Sequence, residues 1–144
     1  MATVFDVAKY ILEKQGKMST WKLQKLCYYS QAWHCTWAGK RLIEEDFQAW
    51  RNGPVCPELF NAHKGKFMVD ADAIKGNSAN LTADEKESVD VVLKDYGTMQ
   101  PFELSSQTHS ELPWKKARGN LSPLENSDAI ISVESMGEYY GSLI

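Results

Sequence analysis

Residues 20–39 read TWKLQKLCYYSQAWHCTWAG, and the reading of this stretch decides the fold. Leu23, Leu26, Cys27, Ser30, Trp33, His34 and Trp37 recur at the i, i+3, i+4, i+7 spacing of a helix. Ser19 or Thr20 serves as its cap, and Gly39 ends it. Trp21, Tyr28 and Ala32 form a second apolar stripe, while Tyr29 sits with Lys22 and Lys25. A helix apolar on more than one side is either the central element of a helical fold or offers a stripe to a partner.

On the N-terminal side, Thr3 is an N-cap with a carboxylate, Asp6, three residues on. Val4, Val7, Ala8, Ile11 and Leu12 then keep helical spacing as far as Gly16. On the C-terminal side, Phe47 to Trp50 is short, aromatic and extended in character, and Asn52-Gly53-Pro54 breaks it. Pro57 opens a third helix that carries Leu59, Phe60 and His63 and stops at Gly65. From about Lys66 to Asn80 the composition predicts a surface loop with at most one helical turn. Thr82 and Glu85 form a capping box for a helix that turns Val89, Val92, Leu93 and Tyr96 inward, closed by Gly97. Pro101 to about Gln107 reads as a short helix anchored by Phe102 and Leu104. Pro113-Trp114 starts another that ends before Gly119. Residues 128–132 suggest a brief strand and 133–142 a terminal helix. The expectation is a mainly α bundle of five to seven helices, with a small extended or β element around residues 46–51. With no repeat and no linker, residues 1–144 read as one domain.

Composition narrows the function. At a net charge of −3, bulk binding to nucleic acid is disfavoured, because that affinity comes from neutralising many phosphates. Lys22, Lys25 and Tyr29, or the run Lys115, Lys116 and Arg118, mix cations with aromatics, yet no nucleic-acid motif surrounds them. Three cysteines, Cys27, Cys35 and Cys56, cannot all pair within one chain. With no signal peptide at the start, the expected compartment is the cytoplasm, and no apolar run suits a membrane span. Cys35, Cys56 and His63 lack the paired spacing of zinc ligands, so no metal and no cofactor is expected. No nucleophile elbow, phosphate loop or HExxH is present. His109, in Thr108-His109-Ser110-Glu111, is a conceivable general base, but the stronger reading is structural, with Thr108 or Ser110 capping the helix that opens at Pro113 and His109 bridging nearby backbone groups. These readings favour a binding module over an enzyme. Five tryptophans and six tyrosines supply either core or interface, and composition leaves that choice open.

Two stretches carry a resemblance. The first is KLQKLCYYSQAWH at 22–34 with Gly39-Lys40, continuing into AWRNGPVCPELF at 49–60. The second is Leu104-Ser105 with THSELPWKKAR at 108–118. Together they resemble the SocA-like Panacea antitoxin domain, which also occurs in phage-associated proteins of the GepA type. The resemblance runs from about residue 4 to the C-terminus. Cys27 replaces the usual aliphatic residue and Phe60 the usual tyrosine.

The resemblance implies a mainly helical fold and an antitoxin of a two-gene module that binds a protein toxin directly. An alternative is an adaptor that delivers the toxin to the ClpXP protease, as the member SocA does. A phage or prophage module without a toxin partner is another. Self-association is left open. Trp21, Lys22, Lys25, Tyr28 and Tyr29 are the expected partner contacts. Gly53, Pro54 and Pro57 are expected to shape the backbone, Pro113 to open its helix and Trp114 to pack in the core. Thr108 and His109 are expected to form a hydrogen-bonded tie between the last helices.

Overall fold

The computed structural model describes residues 1–144. Helix α1 (Val4–Gln15) begins at the N-cap read from Thr3, and Asp6 completes a capping box with it. The Thr3 side chain accepts from the Asp6 amide, and Asp6 accepts from the Thr3 amide at 3.0 Å. Asp6 also accepts from the Asn77 amide at 2.8 Å and the Asn80 carboxamide at 3.3 Å. Burial pushes its carboxyl up, but these hydrogen bonds from Asn77, Thr3 and Asn80 outweigh it, so Asp6 lies below the usual carboxylate range.

Helix α2 (Thr20–Ala38) is the decisive stretch, and it is the central element. It touches α1 and four other helices: α3 (Pro57–His63), α4 (Ala83–Tyr96), α5 (Pro101–Ser110) and α7 (Val133–Gly141). That position explains why more than one of its sides is apolar. Ser19 is its cap, accepting from the Lys22 amide at 3.1 Å, and Gly39 closes it in the left-handed conformation at φ 70°. The seventh helix, α6 (Leu112–Arg118), packs against α5 and α7. The protein is therefore mainly α, with seven helices and two small sheets.

Strand β2 (Phe47–Trp50) falls where the extended segment was expected. It is the middle strand of an antiparallel sheet, paired with β3 (Gly53–Val55) on one edge and β5 (Ile130–Ile131) on the other. Asn52-Gly53-Pro54 therefore turns the chain into a hairpin rather than merely ending a strand.

Other expectations need correction. The 66–80 segment is more than a loop. Its Met68–Val69, β4, pairs antiparallel with β1 (Met18–Ser19), and two short 3-10 turns follow at Ala71–Ala73 and Ser78–Asn80. Helix α5 continues past Gln107 to Ser110. Leu104 is its inner anchor, wholly buried, whereas Phe102 is 72% exposed. Neither Thr108 nor Ser110 caps α6, because their hydroxyls donate to carbonyls one turn back in α5, Ser105 and Gln107.

Candidate functional site

The residues that carried the resemblance converge on the β2–β3 hairpin. From α2, Gln24 grips Cys56 at both ends of its carboxamide. Oε1 accepts from the Cys56 amide at 2.9 Å, and Nε2 donates to the Cys56 carbonyl at 3.2 Å while lying 3.0 Å from His63 Nε2. From the next residue of α2, Lys25 Nζ donates to the Pro54 carbonyl at 3.1 Å. From α6, Trp114 donates to the Trp50 carbonyl at 2.8 Å, and Arg118 Nη1 to the Ala49 carbonyl at 2.9 Å. Arg118 Nη2 also holds the carbonyls of Ser122 and Glu125. Two helices far apart in sequence thus donate side-chain hydrogen bonds to backbone carbonyls of one small hairpin and its flank.

The turn tolerates this crowding only as glycine. Gly53 has φ +119°, and a Cβ there would lie 2.6 Å from Lys25 Cε and 3.0 Å from Thr108 Oγ1. Thr108 sits against this turn and bonds within its own helix, and His109 stacks on Trp114 with ring centroids 4.1 Å apart. The tie to α6 is therefore an aromatic stack, not the hydrogen bond expected from Thr108.

Beside the hairpin lies a second buried polar cluster that sequence reasoning missed. Glu111 accepts from Tyr29 and Tyr140 hydroxyls, each at 2.8 Å, and from the Gln107 carboxamide at 3.0 Å. Tyr28 and Tyr140 hydroxyls are 3.2 Å apart. Burial, then the Glu111 carboxylate, pushes the Tyr29 phenol far above its usual range, so it stays a donor at any physiological pH. Lys25 has no acidic partner, and burial lowers its ammonium to about 7. The single ion pair, Arg41–Asp46, lies elsewhere. Buried charge is met here by neutral dipoles.

Three of the five expected partner contacts are thereby corrected. Tyr28, Tyr29 and Lys25 are at most 1% exposed and cannot be surface contacts in this fold, because α2 is enclosed along its middle. Trp21, 45% exposed, and Lys22, half-buried, remain at the surface. Trp21 stands between two concavities. One, of about 410 Å³, is rimmed by Trp21, Phe67, Pro101 and Phe102, with Ser105 and His109 among its lining residues. The other, of about 550 Å³, lies between α2, the hairpin and α3. Phe67, 75% exposed, escaped the sequence reading, and Phe102, 72% exposed, was read as a helix anchor. The Ser105 hydroxyl and His109 Nε2 are buried without any hydrogen-bond partner. Burial first, then the cations Lys25 and Arg118, lower the His109 imidazole below its ordinary value.

Comparison with protein families gives a match over residues 23–115 to the family described as Antitoxin SocA-like, Panacea domain. The chain belongs to this family. No curated protein and no solved structure matches it. The matched part of this Panacea domain is shorter than the near-complete resemblance read from the sequence. It opens at Leu23 inside α2 and closes at Lys115 inside α6. It includes Gln24, Lys25, Gly53, Pro54, Thr108, His109 and Trp114, and therefore most of the hairpin scaffold. Trp21, Lys22, Arg118 and Tyr140 lie outside it. Membership in an antitoxin family supports a toxin–antitoxin type of role at that coarse level. No helix is long and apolar enough to cross a membrane, and no group of three or more His, Cys, Asp or Glu side chains is placed to hold a metal ion.

Proposed function

We propose that this Panacea domain is the antitoxin of a two-gene module and neutralises a protein toxin by binding it directly through the face around Trp21. The observation that carries this reading is the concavity rimmed by Trp21, Phe67 and Phe102. In a chain that encloses most of its aromatic rings, these three are the most exposed aromatic side chains. They come from α2, the residue just before β4, and α5, so the fold assembles the patch from distant segments. The unpartnered Ser105 hydroxyl and His109 Nε2 belong to residues lining the same concavity. An apolar rim around unmet polar groups is the local chemistry of an interface hot spot, where a partner's polar group completes the hydrogen bonding and the rim excludes water. Stable neutralisation needs roughly 800 Å² per partner, so the patch is the centre of the interface and Lys22 belongs to its margin.

The test is growth rescue. The open reading frame beside this gene is induced alone and together with this protein, in cells with and without ClpXP. Rescue in both backgrounds supports direct neutralisation. Rescue only with ClpXP assigns the adaptor role instead. A toxic neighbour that this protein never relieves rejects the antitoxin reading of this copy.

A further inference from the structure

We propose that the 550 Å³ cleft between α2, the β2–β3 hairpin and α3 is a binding site for a mononucleotide-sized nucleoside phosphate. Its size lies within the usual range of small-molecule sites and exceeds what a bare inorganic anion fills. Every formally charged residue lining it is a cation: Lys25, Arg51, Lys64 and Lys66, with no Asp or Glu. In a chain of net charge −3, that segregation makes the cleft a local positive potential. Arg51, Lys64 and Lys66 are exposed and engaged in no ion pair, so they are available to phosphate oxygens. Lys25 sits deeper, held by the Pro54 carbonyl, with no carboxylate to neutralise it.

The aromatic wall supplies the second half of the argument. Trp50 is fixed by its Nε1 donating to Gln48 at 2.8 Å and by the edge of Phe60, centroids 5.0 Å apart. Trp21 faces the same cleft from α2. Indole and phenyl faces beside cations provide stacking for a base next to anchoring for its phosphate. Asn52 and Asn126, which also line the cleft, bring carboxamides suited to base edges. A long polyanion is a poorer fit, since the acidic remainder of the chain repels it outside the cleft. This site is argued independently of the toxin-binding face, although Trp21 borders both.

The full chain is titrated separately with ATP, GTP, AMP, inorganic phosphate, a short single-stranded oligonucleotide and a glutamate oligomer. Calorimetry and tryptophan fluorescence report binding. At least one nucleoside phosphate is expected to bind one-to-one and to quench the fluorescence. The double substitution Lys64→Glu, Lys66→Glu is expected to weaken that binding about tenfold or more. Arg51→Glu should act in the same direction. Lys115→Glu with Lys116→Glu, exposed on α6 outside the cleft, should leave it unchanged. Circular dichroism confirms that each variant is folded. The proposal is overturned if no nucleoside phosphate binds below about 1 mM. It is equally overturned if cleft and control variants weaken binding alike, or if phosphate alone or the glutamate oligomer binds as tightly. Tighter binding of the oligonucleotide with a steep salt dependence transfers the site to single-stranded nucleic acid and rejects the proposal as stated.

Discussion

The first turn of α2 and its middle are separated by only one or two helical turns, yet they meet different environments. Trp21 and Lys22 look outward, while Gln24, Lys25, Tyr28 and Tyr29 are enclosed by α7, α4 and the hairpin. All were candidate partner contacts or their immediate neighbours, because aromatic and cationic side chains are what interfaces use. The same residue types, placed inside, hold a hairpin and a buried carboxylate. A motif can therefore be rich in interface chemistry and be scaffold. In this domain, the family match contains most of the hairpin scaffold, together with Phe67 and Phe102, and the exposed Trp21 lies outside it.

The contrast breaks most visibly at Tyr28. Its ring packs edge-on against Tyr29 and Phe47 in the core, with centroids 5.4 and 5.6 Å away. Tyr28→Ala is expected to lower unfolding stability by about 4 kcal/mol in a denaturant melt. A variant that melts like the parent but loses its partner would return the middle of α2 to the interface. Gly53→Ala comes next, at about 2–3 kcal/mol, because it adds a strained positive φ to a contact with Lys25 and Thr108. Trp21→Ala should do the reverse of Tyr28→Ala. Toxin affinity falls by about 2 kcal/mol while the melting curve barely moves.

Lys25→Met sharpens the scaffold side through pH. The ammonium deprotonates at about 7 in the fold, against 10.5 ordinarily. Between these values the unfolded chain binds more protons, so stability rises with pH and is lost again as pH falls through about 7. From pH 7 to about 8.5 the parent should gain about 1.5 kcal/mol and the Met variant almost none, as read by urea melts at each pH. Buried thiols and tyrosines, with ordinary values of 9.0 and 10.0, act mainly above that window. Equal slopes would mean that Lys25 is hydrated in solution. The smallest effect is expected from Phe102→Ser, within about 0.5 kcal/mol of parent stability, since its ring is 72% exposed. A larger loss would make Phe102 a packing residue after all.

Much of the secondary structure was legible because its causes are local. Thr3 with Asp6 and Thr82 with Glu85 satisfy helix N-termini three residues apart; the second box forms as read, and Thr3, read only as a cap, forms a box with Asp6 as well. Phe47–Trp50 was legible from its residue types alone. The β1–β4 pair was not, because each strand is two residues long and its partner lies about fifty residues away. Phe102 was misread because a single phenylalanine near a helix start says nothing about which side faces inward. Of the proposed face, Trp21 and Lys22 had been named from the sequence. Phe67 was not, since its exposure depends on where β4 docks.

The sequence by itself determined the helices, their caps, the hairpin break and the family signature, because hydrogen bonds over three or four residues and backbone sterics act within a segment. Depth belonged to the tertiary structure. Whether a lysine or tyrosine on α2 meets water, Pro54 or Glu111 depends on which distant segments cover it. Helical spacing specifies a direction around the axis, not what stands there. Packing against α7 and the hairpin enclosed Lys25, Tyr28 and Tyr29, and the lack of any covering element left Trp21 in solvent.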